Sequence, residues 1–125
     1  MTHPRRILVL ESDRLIKQLI VEWLHLAGHE TVCASDATSA ARVAGTGIDV
    51  MLADVPAPSK TARETVARLT RAVPHTPVIA MSADVLAFGP QASAAVAREL
   101  GAAVMLVKPF NRDALLDAID RLIVS

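Results

Sequence analysis

Glu11, Asp54, Ser82 and Lys108 are the residues of this sequence whose types and positions could do chemistry together. Each follows a short apolar run: "ILVL" leads into Glu11-Ser12-Asp13, "VMLA" into Asp54, "VIAM" into Ser82-Ala83 and "VMLV" into Lys108-Pro109. A polar residue at the end of one buried strand is commonplace. Two carboxylates, a hydroxyl and an ammonium brought to one edge would suit phosphoryl transfer onto a carboxylate, with Asp54 as the nucleophile and an acyl phosphate as its product. The incoming group and the carboxylate repel each other, so catalysis of this kind is positioning and charge neutralisation. Mg²⁺ takes oxygen ligands and keeps several of its waters. Glu11 and Asp54 offer it two carboxylates, and the backbone carbonyl at Pro56 a further oxygen. Lys108 can neutralise phosphoryl oxygens from the other side, and Ser82 can hydrogen-bond one of them.

For these residues to meet, the runs that precede them must lie side by side. The apolar runs are Ile7–Leu10, Thr31–Ala34, Ile48–Ala53, Pro77–Met81 and Ala102–Val107. They are continuous rather than alternating, which fits strands buried on both faces. Helical patterns fill the gaps. Residues 14 to 27 place Leu15, Ile16, Leu19, Ile20, Trp23 and Ala27 on one face, with Asp13 as the cap and Gly28 as the stop. Leu26 is expected at the edge of the buried face, and Val21 in the middle of a polar face made by Lys17, Gln18, Glu22 and His25. A second helix runs from a Ser35 or Asp36 cap through Val43, a third over 60–73 and a fourth over 93–100. A fifth is capped by Asn111, with Leu115, Ala118, Ile119, Leu122 and Ile123 inward. Five strands alternating with five helices predict a doubly wound α/β fold with one parallel sheet. In such a sheet the working site lies beyond the carboxyl ends of the strands, where the strand order reverses. All four residues fall there.

Composition narrows the function classes. The chain of 125 residues is 52% apolar and has the length of one domain, which we assign to residues 1–125 with no output domain. Trp23, Phe88 and Phe110 are the only aromatic residues, so the core must be aliphatic. Thirteen basic residues balance thirteen acidic ones, which gives no general attraction to nucleic acid or an anionic membrane. Cys33 has no partner cysteine, and no apolar run has the length of a signal peptide's core or a membrane span. A cytoplasmic location is expected. The four histidines show no metal-ligand spacing with one another or with Cys33 and are expected at the surface or in turns, and no glycine-rich phosphate loop occurs.

In order and spacing, "ILVLESDRLIKQLI", "IDVMLADVPAP", "PVIAMSAD" and "GAAVMLVKPF" resemble the sequence blocks of bacterial response-regulator receiver domains, and the resemblance covers essentially the whole chain. It implies the flavodoxin-like fold with strand order 2-1-3-4-5, phosphorylation by a sensor histidine kinase or phosphotransfer protein, and a two-state switch read by a downstream protein. Asp54 matches the phosphoacceptor, Glu11 the first metal-binding acid, Ser82 the switch hydroxyl and Lys108 the lysine before a proline that is often cis. In this family the first helix receives kinases and phosphotransfer proteins. The face made by the fourth helix, fifth strand and fifth helix carries signals, in some members by homodimerisation. Val21 would add an apolar contact on the first helix.

Several positions depart from the pattern. Ser12 stands where the family has a second metal-binding acid, so Mg²⁺ is expected to bind more weakly, with water in place of the lost ligand. Met105 stands where a tyrosine or phenylalanine is common, so the switch is expected to be softer. Residues 83–93 form a longer loop than the pattern, in which Phe88 is expected to serve as an anchor. The reading is a stand-alone phosphoacceptor module, not a dedicated enzyme. The competing reading is a receiver fold that binds its partner without phosphate. A flavin protein is disfavoured by the acidic Glu11-Ser12-Asp13, and a phosphohydrolase by Pro56 in place of an acid.

Overall fold

The computed structural model describes residues 5–43, 47–55, 59–83 and 93–123. Five strands, β1 (Arg6–Leu10), β2 (Glu30–Ala34), β3 (Val50–Asp54), β4 (Val78–Ser82) and β5 (Val104–Val107), alternate with five helices. These are α1 (Arg14–Leu26), α2 (Ala37–Val43), α3 (Lys60–Ala72), α4 (Ser93–Leu100) and α5 (Arg112–Leu122). All strand pairings are parallel, in the order β2-β1-β3-β4-β5. The doubly wound fold and the strand order expected from the sequence are both present.

Side-chain alternation along the strands builds two cores. Leu8, Leu10, Met51, Ala53, Val78, Ala80 and Met105 face α2, α3 and α4 and meet Ala40, Val66, Leu69 and Leu100. Ile7, Val9, Val50, Leu52, Ile79, Met81 and Leu106 face α1 and α5 and meet Ile20, Leu24, Leu115 and Ile119. The strands are apolar at consecutive positions because both faces are covered.

Helix ends follow local chemistry. Asp13 Oδ1 accepts the backbone N–H groups of Leu15 and Ile16, Ser59 caps α3 and Asn111 caps α5. In the second helix Asp36, not Ser35, takes the capping N–H, with the Ser39 hydroxyl accepting the Asp36 N–H in return. At the end of α1, Gly28 adopts φ +88°, and the His29 N–H returns to the Leu24 carbonyl; a residue with Cβ would be strained there.

The first helix is rotated from the expected orientation. Ile20 and Leu24 are buried and Ile16 and Trp23 half-buried, whereas Leu15 is 72%, Leu19 48% and Leu26 69% exposed. Val21, expected in the middle of a polar face, is half-buried. The apolar arc of this helix spans roughly half its circumference, wider than the stripe the sheet can cover. The sheet takes the Ile20–Leu24 side and leaves the other edge in solvent. His29, expected at the surface or in a turn, is also buried. It immediately precedes β2, and the pairing of Arg6 with Glu30 brings it to the start of β1, where its Nδ1 accepts the Arg5 N–H at 3.1 Å.

Candidate functional site

The strand order makes β1, β3, β4 and β5 consecutive neighbours, so Glu11, Asp54, Ser82 and Lys108 emerge in a row at one edge. Alternation sorts them further. Glu11 continues the parity of Ile7 and Val9, Asp54 that of Val50 and Leu52, and Lys108 that of Leu106, all on the α1–α5 side. Ser82 has the parity of Val78 and Ala80, on the α2–α3–α4 side, and is fully buried.

Lys108 joins the charged residues. Strands lie about 4.8 Å apart, so β5 and β3 are separated by roughly 10 Å and β5 and β1 by roughly 14 Å. The long lysine stem crosses most of that distance. Its Nζ donates to Asp54 Oδ1 at 2.6 Å and to Glu11 Oε1 at 2.7 Å. The Glu11 side chain is completely buried and Lys108's nearly so, while the Asp54 side chain is 24% exposed. Glu11 Oε2 accepts the Asp13 backbone N–H at 3.0 Å, so both oxygens of the buried carboxylate are hydrogen-bonded. Burial alone would lower the Lys108 pKa, but its hydrogen bonds to Asp54 and Glu11, helped by their charges, outweigh that and hold it above the ordinary lysine value. Lys108 is therefore a fixed cation at neutral pH.

The remaining expected site residues are distributed unevenly. Ser12 is exposed. Asp13 is committed to capping α1, as expected from its position. Met105 is buried in the core that contains Val96, Ala97 and Leu100 of α4, opposite Ala80 in the register. The Lys108–Pro109 bond is cis. Pro56 and Phe88 lie outside the described residues, as does most of the 83–93 loop.

The donor chemistry fits Mg²⁺ at a minimal level. Glu11 and Asp54 are hard-oxygen carboxylates converging from neighbouring strands, and an ion that keeps its waters needs few protein ligands. Among the described residues no group of three or more His, Cys, Asp or Glu is placed to hold a metal ion.

Beside the site lies a feature that sequence reasoning missed. Ile16, Leu19, Ile20 and Trp23 of α1 face Ala83, the Lys108 stem, Pro109 and Phe110 across an apolar groove of about 370 Å³. Trp23 and Phe110 meet edge-on at its end, with ring centroids 6.5 Å apart. Its walls come from opposite ends of the chain. The only advance signal was an apolar arc on α1 too wide for the sheet to cover.

Comparisons agree with this geometry. The family model described as "Response regulator receiver domain" matches residues 7–120. The response regulator protein FleR of Pseudomonas aeruginosa is 33% identical over 117 residues, covering 93% of this chain and 24% of FleR. The chain spans between 23% and 44% of the length of the curated relatives it matches. Among solved structures, the chemotaxis response regulator CheY4 of Vibrio cholerae is 27% identical with a TM-score of 0.76, covering 97% of this chain and 100% of CheY4. The receiver domain of the sensor histidine kinase PA1611 of Pseudomonas aeruginosa, described with a magnesium ion coordinated in its active-site cleft, is 25% identical. Its TM-score is 0.78, with 98% of this chain and 100% of that chain covered. Among the described residues no helix is long and apolar enough to cross a membrane.

Proposed function

The chain belongs to the response-regulator receiver domain family, and from that premise we propose that Asp54 is its phosphoacceptor, charged by a sensor histidine kinase or phosphotransfer protein. The observation that carries this reading is the Lys108 ammonium, which spans three strands to hold the partly exposed Asp54 carboxylate. An Asp54 oxygen forms a bond to phosphorus while the bond from phosphorus to the donor's nitrogen breaks, and the electron pair leaves with that nitrogen. Lys108 orients the attacking carboxylate and faces the phosphoryl oxygens as negative charge builds on them. Ser82, on the other face of the sheet edge, is the hydroxyl that meets the new phosphoryl group. Met105 lies in the same core as α4, so the response passes to α4 through an adaptable thioether rather than a ring.

Glu11 and Asp54, with the Pro56 carbonyl, are the residues that would hold Mg²⁺; bound there, it would neutralise phosphoryl charge. Ser12 removes one carboxylate from that set, so the ion is held more weakly than with a second acid. The apolar groove beside Lys108 supports docking of the phosphodonor along α1. The altered surface then acts on a downstream protein, with self-association through α4, β5 and α5 as one form of output. We read the chain as a signalling module of the cytoplasm, not a dedicated enzyme, with its 125 residues forming one receiver domain.

Intact-mass spectrometry after incubation with acetyl phosphate and Mg²⁺ tests the reading. A labile phosphoryl adduct should form on the wild type and not on Asp54→Ala. An adduct of equal yield on both proteins would remove Asp54 from the role. If neither acetyl phosphate nor a histidine-kinase panel labels the wild type, the phosphate-independent binding module becomes the better reading.

A further inference from the structure

We propose that Asp13 is a positioning residue for the metal site. By capping α1 it holds in place the backbone N–H that aims the Glu11 carboxylate, and it acts through that aim, not through its own charge. The inference rests on reading Glu11 and Asp54 as the metal's protein ligands. Glu11 is only 1% exposed, so protein partners set its orientation. Oε1 accepts from the Lys108 ammonium at 2.7 Å and Oε2 from the Asp13 N–H at 3.0 Å. The lysine reaches Glu11 on a flexible stem, whereas the Asp13 N–H belongs to a fixed peptide.

The start of α1 fixes that peptide. Asp13 Oδ1 accepts the N–H groups of Leu15 at 3.0 Å and Ile16 at 3.1 Å, and the Asp13 carbonyl accepts the Lys17 N–H at 2.9 Å. These bonds keep Asp13 extended, at φ −75° and ψ 120°, with its own N–H turned out of the helix and back to Glu11. The helix is seated on the sheet through Ile20 and Leu24. So β1 brings Glu11 to the sheet edge, and α1 sets which way its oxygens face: Oε2 toward the helix start, Oε1 toward Lys108 and Asp54. Ser12 gives this aim more weight, because it adds no carboxylate beside Glu11. A partner that orients a metal ligand in this way changes affinity about 10–100-fold when it is lost.

Isothermal titration of Mg²⁺ separates aim from charge. Asp13→Asn keeps the cap and loses the charge, Asp13→Ala loses both, and Asp36→Ala removes the cap and charge of α2 instead. Asp13→Ala should bind Mg²⁺ about tenfold more weakly, and the other two within about twofold of the wild type. Acetyl phosphate labelling of Asp13→Ala should fall at limiting Mg²⁺ and recover at saturating Mg²⁺. Without metal, the Glu11 carboxyl ¹³C signal should shift in Asp13→Ala and stay in place in Asp13→Asn. Wild-type affinity in Asp13→Ala overturns the proposal. So does an Asp13→Asn protein as weak as Asp13→Ala, which would assign the effect to charge, or an equal loss in Asp36→Ala, which would assign it to a loosened fold. Should Asp13→Ala not fold, Asp13→Gly replaces it, since glycine starts a helix well but supplies no side-chain acceptor. A failed Asp13 pattern with a normal wild-type adduct leaves the phosphoacceptor reading intact. The expected Mg²⁺ affinities, with no adduct on the wild type under any donor, would sustain this inference and remove the phosphoacceptor.

Discussion

At the scale of single residues, a buried polar side chain is costly unless every contact is met, and His29 meets its need only when neutral. Burial lowers its pKa and the Arg5 charge acts in the same direction, against the opposing pull of Asp120 and Asp49. Its Nδ1 can accept the Arg5 N–H only while unprotonated. The folded pKa lies below the unfolded value of 6.5, so the unfolded chain takes up the proton first. The stability due to neutral His29 is therefore complete above that value and lost as pH falls from it through the folded pKa. Urea midpoints measured from pH 8 to pH 5 should show this loss in the wild type and a smaller one in His29→Gln. Identical profiles would mean that other groups govern the acid limb. Burial of His29 was not legible in the sequence, because it depends on the register in which β1 pairs with β2.

At the scale of elements, α1 has two apolar edges with different duties. Leu24 is buried against the sheet and Leu15 stands in solvent, yet both are leucines in one helical pattern. Leu24→Ala should cost about 2–5 kcal/mol of stability. Leu15→Gln should change it by less than about 0.5 kcal/mol, as judged by chemical denaturation. If the groove receives the phosphodonor, Leu19→Gln, in its lining, should slow transfer from a phosphorylated kinase while leaving acetyl phosphate labelling unchanged. Equal slowing with both donors would place the effect in the site instead. The positions and limits of all five helices were legible from caps and stops such as Asp13, Gly28 and Asn111. The orientation of α1 was not. A wide apolar arc says that a helix packs, but the choice of edge follows from where the sheet twists beneath it.

At the scale of the whole molecule, the site exists only when the sheet is assembled. Glu11, Asp54 and Lys108 come from three strands, and Lys108 lies 97 positions from Glu11. Any ion that binds them binds the native state alone. Mg²⁺ should therefore raise the melting temperature in a dose-dependent way, by the equivalent of about 2.7 kcal/mol at a hundredfold excess over Kd. Ser12→Asp should reach that shift at lower Mg²⁺ than the wild type. A melting temperature that ignores Mg²⁺ in both proteins would remove the metal from this site. Each strand-end residue could be recognised from its own apolar run, but the lysine's reach to Glu11 could not, because it depends on the path its side chain takes across the sheet edge and not on the strand order alone. The alternation of side chains that puts Glu11, Asp54 and Lys108 on one side and Ser82 on the other has a genetic consequence. Point substitutions can retune any of the four in place. Loss of a single codon within β1, β3 or β5 would turn that strand's charged residue to the opposite face while shifting its core residues with it. The site is thus open to gradual change by replacement and closed to change by deletion.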